Sequence, residues 1–159
     1  MYLLDTGIVL GFQKGGHLEA LITAAAVVSI VLVEEVYDEL TEPRNGRHEE
    51  AAARAKTALD ASRITVRSIR TGSDAAATFA ALRTGKKSAT ADLGETGCIA
   101  LAAHDPSLTF ITNDAAASLR SLQELRGRTM SFHPFVAAVV ESGALSPAAA
   151  ASVATAVKG

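Results

Sequence analysis

Short apolar runs alternate with Ala-rich amphipathic stretches along almost the whole of this chain, and that alternation is its strongest constraint. Tyr2-Leu3-Leu4 is the first run. Val27 to Val33 is the second, β-branched and almost wholly apolar, as suits a parallel strand covered on both faces. Ile64-Thr65-Val66 and Leu108 to Thr112 follow, and Thr129 to Phe132 contains a last short candidate. Between them lie helical stretches. Ile8 to Phe12 and His17 to Thr23 are split by Lys14-Gly15-Gly16, and Glu34 to Leu40 ends at Pro43-Arg44-Asn45-Gly46. Glu49 to Ala61 and Ser73 to Leu82 come next, then the helix opened by Asp92-Leu93-Gly94-Glu95, which Asp105-Pro106 closes. Asp92 stands three residues before Glu95, an analogue of a capping box. Ala115 to Leu122, Pro134 to Glu141 and Pro147 to Val157 complete the set. The pattern predicts α/β architecture with a mostly parallel sheet, in a single domain over 1–159. Right-handed crossovers then bring the carboxyl ends of the strands to one side.

Composition narrows the classes. Hydrophobic residues make up 48% and charged ones 20%, so the chain is globular, not disordered. The formal net charge of -2 offers no overall attraction to nucleic acid or an anionic membrane, so any basic contact surface has to be local. A single cysteine, Cys98, excludes an internal disulfide framework and a Cys-based zinc cluster, and points to a reducing compartment. No basic segment precedes the first apolar run, and Asp5 interrupts it early. Leu21 to Val33 is well short of the roughly 20 apolar residues of a spanning helix. A cytoplasmic protein without a membrane span is the expectation.

The acidic residues fall in a pattern. Asp5 follows the first strand, Asp114 follows Leu108 to Thr112, Glu39 lies on the helix after Val27 to Val33, and Glu95 lies in the first turn of its helix. In a parallel sheet those places share one edge, where open α/β sheets bind ligands. Each acid also has a purely structural reading. Asp is a favoured N-cap, and acids in a first turn are favoured by the helix dipole. Converging carboxylates raise one another's pKa. A hard divalent cation such as Mg²⁺ relieves that repulsion and supports phosphodiester hydrolysis.

The chain resembles the PIN-domain family of metal-dependent ribonucleases, among them the VapC-like toxins of bacterial and archaeal toxin–antitoxin pairs. Four elements in register carry the resemblance: Asp5-Thr6-Gly7 through Leu10 with Gly16-His17-Leu18; Val36-Tyr37-Asp38-Glu39-Leu40; Gly94-Glu95 with Ile99, Leu101 and Ala102; and Ile111-Thr112-Asn113-Asp114. It implies a three-layer α/β/α sandwich with the Asp5 strand at its centre. It implies an acidic quartet of Asp5, Glu39, Glu95 and Asp114 around Mg²⁺ or Mn²⁺, with Asp92 and Asn113 assisting from the rim. Counting from Ser29 selects Glu35 in place of Glu39; the flanking Val-Tyr and Leu favour Glu39. Homodimers and inhibition by an antitoxin are further implications, with RNA as substrate. A catalytically weak PIN-like binding module is the alternative.

Other signals carry less. Thr84-Gly85-Lys86-Lys87-Ser88 faintly resembles a P-loop, but Ala80 stands at the first Gly and Lys87 at the Ser/Thr position. The stretch reads as a solvated loop or as a contact to RNA phosphates. Cys98 lies in an apolar helix and reads as a core thiol. No Gly-x-Ser-x-Gly elbow exists, and His17, His48, His104 and His133 lack paired ligand spacing. A receiver-like phosphate-transfer domain also needs a Lys at a strand end, and no strand here finishes that way.

Overall fold

Tyr2–Leu4 (β1) is the middle strand of a five-stranded sheet in the computed structural model, which describes residues 1–42, 49–85 and 92–158. The strand order is β3-β2-β1-β4-β5, with β2 at Ile30–Val33, β3 at Thr65–Arg67, β4 at Thr109–Ile111 and β5 at Thr129–Met130. Every pairing is parallel. Burial explains the order. Leu3 and Leu4 of β1 are wholly enclosed and all four residues of β2 are buried, whereas Thr65 and Val66 on edge strand β3 face solvent. A parallel strand covered on both faces needs near-continuous apolar residues, and only the inner strands have them.

The helices form the outer layers of a three-layer α/β/α arrangement. They are α1 (Thr6–Lys14), α2 (Leu18–Ala24), α3 (Glu34–Thr41), α4 (Glu49–Asp60), α5 (Asp74–Arg83), α6 (Leu93–His104), α7 (Ala115–Leu125), α8 (Phe132–Glu141) and α9 (Pro147–Lys158). Residues 94 to 102 of α6 are all buried, because this helix packs on β1, β2 and β4 while touching α3, α5 and α7. α1 packs on α9, and α9 on α8. Phe12 of α1 meets the rings of Phe132 and Phe135 edge-on at 6.2 and 6.3 Å. Among the described residues, no helix is long and apolar enough to cross a membrane.

Several local expectations shift. β2 starts at Ile30, because the N–H groups of Val27 and Val28 bond back to the Ala24 carbonyl and extend the end of α2. Val27 is 69% exposed as a result. Asp92 adopts a left-handed conformation (φ 55°) and makes no side-chain cap bond, so the expected capping box does not form. α8 begins at Phe132, two residues before Pro134, whose missing N–H falls in a first turn that lacks intrahelical acceptors. The predicted stop at 43–46 lies outside the described residues.

The chain moves from β1 through β2 to β3 on one side, then places β4 and β5 on the other. The direction reverses between β1 and β4, and in such sheets the crevice beyond that point is where ligands sit. Replacing Leu3 with Ala should cost about 2–5 kcal/mol, and Val66→Ala on the exposed edge under about 0.5 kcal/mol. Urea unfolding monitored by circular dichroism checks the contrast.

Candidate acidic site at the carboxyl edge of the sheet

Asp5 occupies the position before α1 in extended conformation (φ −73°, ψ 154°), yet its carboxylate makes no cap bond. Oδ2 instead accepts from the Thr112 hydroxyl at 2.8 Å. The Thr112 oxygen in turn accepts from the Asp114 N–H at 3.1 Å. One buried hydroxyl therefore ties together the carboxyl ends of β1 and β4. The register allows it: Leu4 pairs with Ile111, and the Asp5 N–H donates to the Ile111 carbonyl at 3.0 Å. The helix-cap reading of Asp5 fails on this geometry. Asp114 is a true cap, accepting from the Ala117 N–H at 2.8 Å at the start of α7.

Glu39 is bound from two sides. The Thr6 hydroxyl donates to Oε2, and the Gly94 N–H donates to Oε1 at 3.1 Å. Thr6 follows Asp5 and Gly94 precedes Glu95, so Glu39 joins the neighbourhoods of both. Glycine fits closely at 94: a Cβ there would lie 2.9 Å from Val36 Cγ2 and 3.0 Å from Glu39 Oε2, so a neighbouring side chain would have to shift. Glu35, one turn earlier on α3, lies against the next turn of α6. Its Oε2 is buried without a hydrogen-bond partner, and a Cβ on Gly97 of α6 would lie 2.9 Å from it.

Glu95 is only 9% exposed. It forms an ion pair with Nη2 of Arg120 on α7, while Nη1 of the same guanidinium lies 3.7 Å from Asp92. Burial pushes the Glu95 carboxyl up to about 7 despite Arg120, with the charges of Asp5, Asp92 and Asp114 adding to the rise. Asp5 is also raised, chiefly by burial. The Thr112 hydroxyl and the Thr6 N–H oppose the rise, and the charges of Glu39 and Asp114 add to it. Asp5, Glu39, Glu95 and Asp114 thus occupy one electrostatic neighbourhood, tied together by shared partners.

Their donor chemistry suits a hard divalent cation: carboxylate oxygens, a buried acid that holds its proton too tightly, and mutual repulsion to relieve. Among the described residues, however, no three His, Cys, Asp or Glu side chains are grouped so as to hold a metal as they stand. Three of the four acids are engaged by neighbours. Glu39 is drawn to Thr6 and Gly94, Glu95 to Arg120, and Asp114 to the start of α7. An open groove of about 810 Å³ lies elsewhere, lined by Gln13, Glu19, Arg54 and Thr57 of α1, α2 and α4, and contains none of these acids. Of the two rim residues, Asp92 faces Arg120. The Asn113 carboxamide oxygen accepts from the Phe132 N–H at 3.3 Å, at the start of α8. Cys98 is enclosed, its thiol pushed up by burial and donating to the Leu4 carbonyl at 3.7 Å. The basic stretch at 86–88 lies outside the described residues.

Sequence reasoning passed over Thr6, Thr112 and Arg120 as functional residues. Thr112 had a local signal, since a hydroxyl two residues before Asp114 readily accepts its backbone N–H. Arg120 had none, because its acidic partners come from another helix. The chain matches no family model, no curated protein and no solved structure.

Gly94→Ala should destabilise by about 1–3 kcal/mol, because the added methyl presses on Val36 and Glu39; chemical denaturation measures it. A second outcome concerns pH. Glu95 ionises at about 7 when folded against 4.5 for an unstrained glutamate, so the unfolded chain releases its proton first as pH rises. Its contribution to stability is therefore lost progressively across that window. In EDTA the wild type should lose Tm relative to Glu95→Gln between these pH values. A Tm difference that stays constant would contradict the raised Glu95 carboxyl.

Proposed function

We propose that this protein is a PIN-type endoribonuclease that hydrolyses RNA phosphodiester bonds at the Asp5–Glu39–Glu95–Asp114 edge with Mg²⁺ or Mn²⁺. The observation that carries the reading is the tie between Asp5 and Asp114 through the Thr112 hydroxyl at the switch point of the sheet. It fixes the Asp5 carboxylate beside the backbone of Asp114, at the ends of adjacent strands where a ligand crevice forms in such folds. Asp5 and Asp114 would hold the cation directly or through water. Glu39 and Glu95 complete the site, one of them orienting the attacking water. A divalent cation held there would supply a water of lowered pKa and charge stabilisation for the departing oxygen. The Thr6 and Thr112 hydroxyls donate to Glu39 and Asp5 and so orient these acids for a substrate.

The wider reading follows the sequence resemblance: a cytoplasmic toxin acting as a homodimer and silenced by a protein antitoxin. A second reading, a PIN-like interaction module without turnover, draws support from the engagement of Glu39, Glu95 and Asp114 with protein partners. Cleavage of a mixed RNA substrate in Mn²⁺ separates the two. Turnover that falls by about 100-fold or more in Asp5→Asn is the expected result. Equal cleavage by parent and variant would eliminate the nuclease mechanism, and no cleavage by either would favour the module.

A further inference from the structure

The acidic edge contains a cation of its own. Arg120 reaches from α7 to Glu95 and Asp92, two acids at the start of α6. We propose that Arg120 is a resident counter-ion of this edge, competing with a divalent cation for Glu95 and Asp92 and setting the metal concentration at which the site loads. The inference rests on the reading of these acids as a metal site.

The contacts are those of a replaceable partner. A guanidinium that anchors a fold commonly fills its donors, as Arg128 does here: its Nη1 donates to the carbonyls of Asp105 and Leu108, and its Nη2 to Ala102, all at 2.9 to 3.1 Å. Arg120 is different. Its Nη2 pairs with Glu95, its Nη1 lies 3.7 Å from Asp92, and its Nε is buried without a hydrogen-bond partner. One donor of the guanidinium therefore goes unused inside the protein. Its side chain is 31% exposed, leaving the head a path outward. The backbone also couples the two roles. Asp114, a candidate ligand, caps the helix that carries Arg120, so the two side chains are set by one rigid element.

Competition has a calculable form. A ligand that binds only the state in which the resident partner has left shows an affinity reduced by the population of that state. Removing the arginine leaves Glu95 facing Asp5, Asp92 and Asp114, which strengthens the demand for an added cation.

The test is Mn²⁺ titration of the EDTA-stripped full chain, followed by calorimetry and thermal melting, for wild type, Arg120→Gln and Arg120→Lys. Without metal, Arg120→Gln should melt below wild type. With Mn²⁺ it should bind about tenfold more tightly and gain more Tm by mass action. Arg120→Lys, which keeps a point charge without the planar fork, should fall between them. If Arg120→Gln does not fold, the lysine variant carries the comparison, and affinity above wild type supports the proposal. Wild-type binding with unchanged or weaker affinity in folded variants overturns the counter-ion role and leaves the metal site standing. No Mn²⁺ binding by any of the three proteins sinks the metal site itself and the counter-ion role with it.

Discussion

Gathering negative charge at one sheet edge is the constraint on which this structure turns. Carboxylates taken out of water beside one another resist ionisation, and each needs a donor or a cation nearby. The protein meets that demand with different means. Asp5 receives a threonine hydroxyl, Glu39 a hydroxyl and a backbone N–H, Asp114 a backbone N–H at the start of a helix, and Glu95 a guanidinium. Burial still pushes the Glu95 carboxyl up to about 7 in spite of that partner. Compensation by neutral donors leaves the negative charge in place, whereas Arg120 brings a positive charge to it.

Close packing is what lets these donors reach. α6 lies against α3 through Gly94 and Gly97, positions where a Cβ would press on Glu39, Val36, Glu35 or Val33. The Gly94 N–H can therefore approach Glu39 without a side chain between them. The same closeness seals Cys98 beneath the site and fills the space between α3, α6 and β2 with apolar side chains. A site held this way is rigid at its base and adjustable at its rim, where Arg120 and Asp92 are partly exposed.

Much of the fold was legible because strand burial has a plain signature. Continuous apolar runs marked β1, β2 and β4, and Ser73 capped α5 as its sequence suggests, accepting from the Ala76 N–H at 3.1 Å. Where the reading drifted, backbone hydrogen bonds overrode side-chain type: Val27 and Val28 have strand-like side chains but donate to Ala24 and close a helix. Among the acids, local rules succeeded for Asp114, whose cap partner is three residues away, and failed for Asp5, whose partner is 107 residues away. Asp92 failed for a backbone reason, its left-handed conformation turning the side chain from the N–H groups it would cap. The preference for Glu39 over Glu35 rested on flanking residues; in the structure Glu39 accepts from Thr6 and Gly94, while Glu35 lies against Gly97.

By itself the sequence determined an α/β chain in which β1, β2 and β4 run into acidic residues, because periodicity and apolar run length are local properties that burial enforces. It also determined which acids fall near strand ends. Only the tertiary structure decided what those acids do with their charge. Thr112, Gly94 and Arg120 reach them from other strands and helices, and hydrogen bonds and ion pairs act over a few ångströms of space, whatever the separation along the chain.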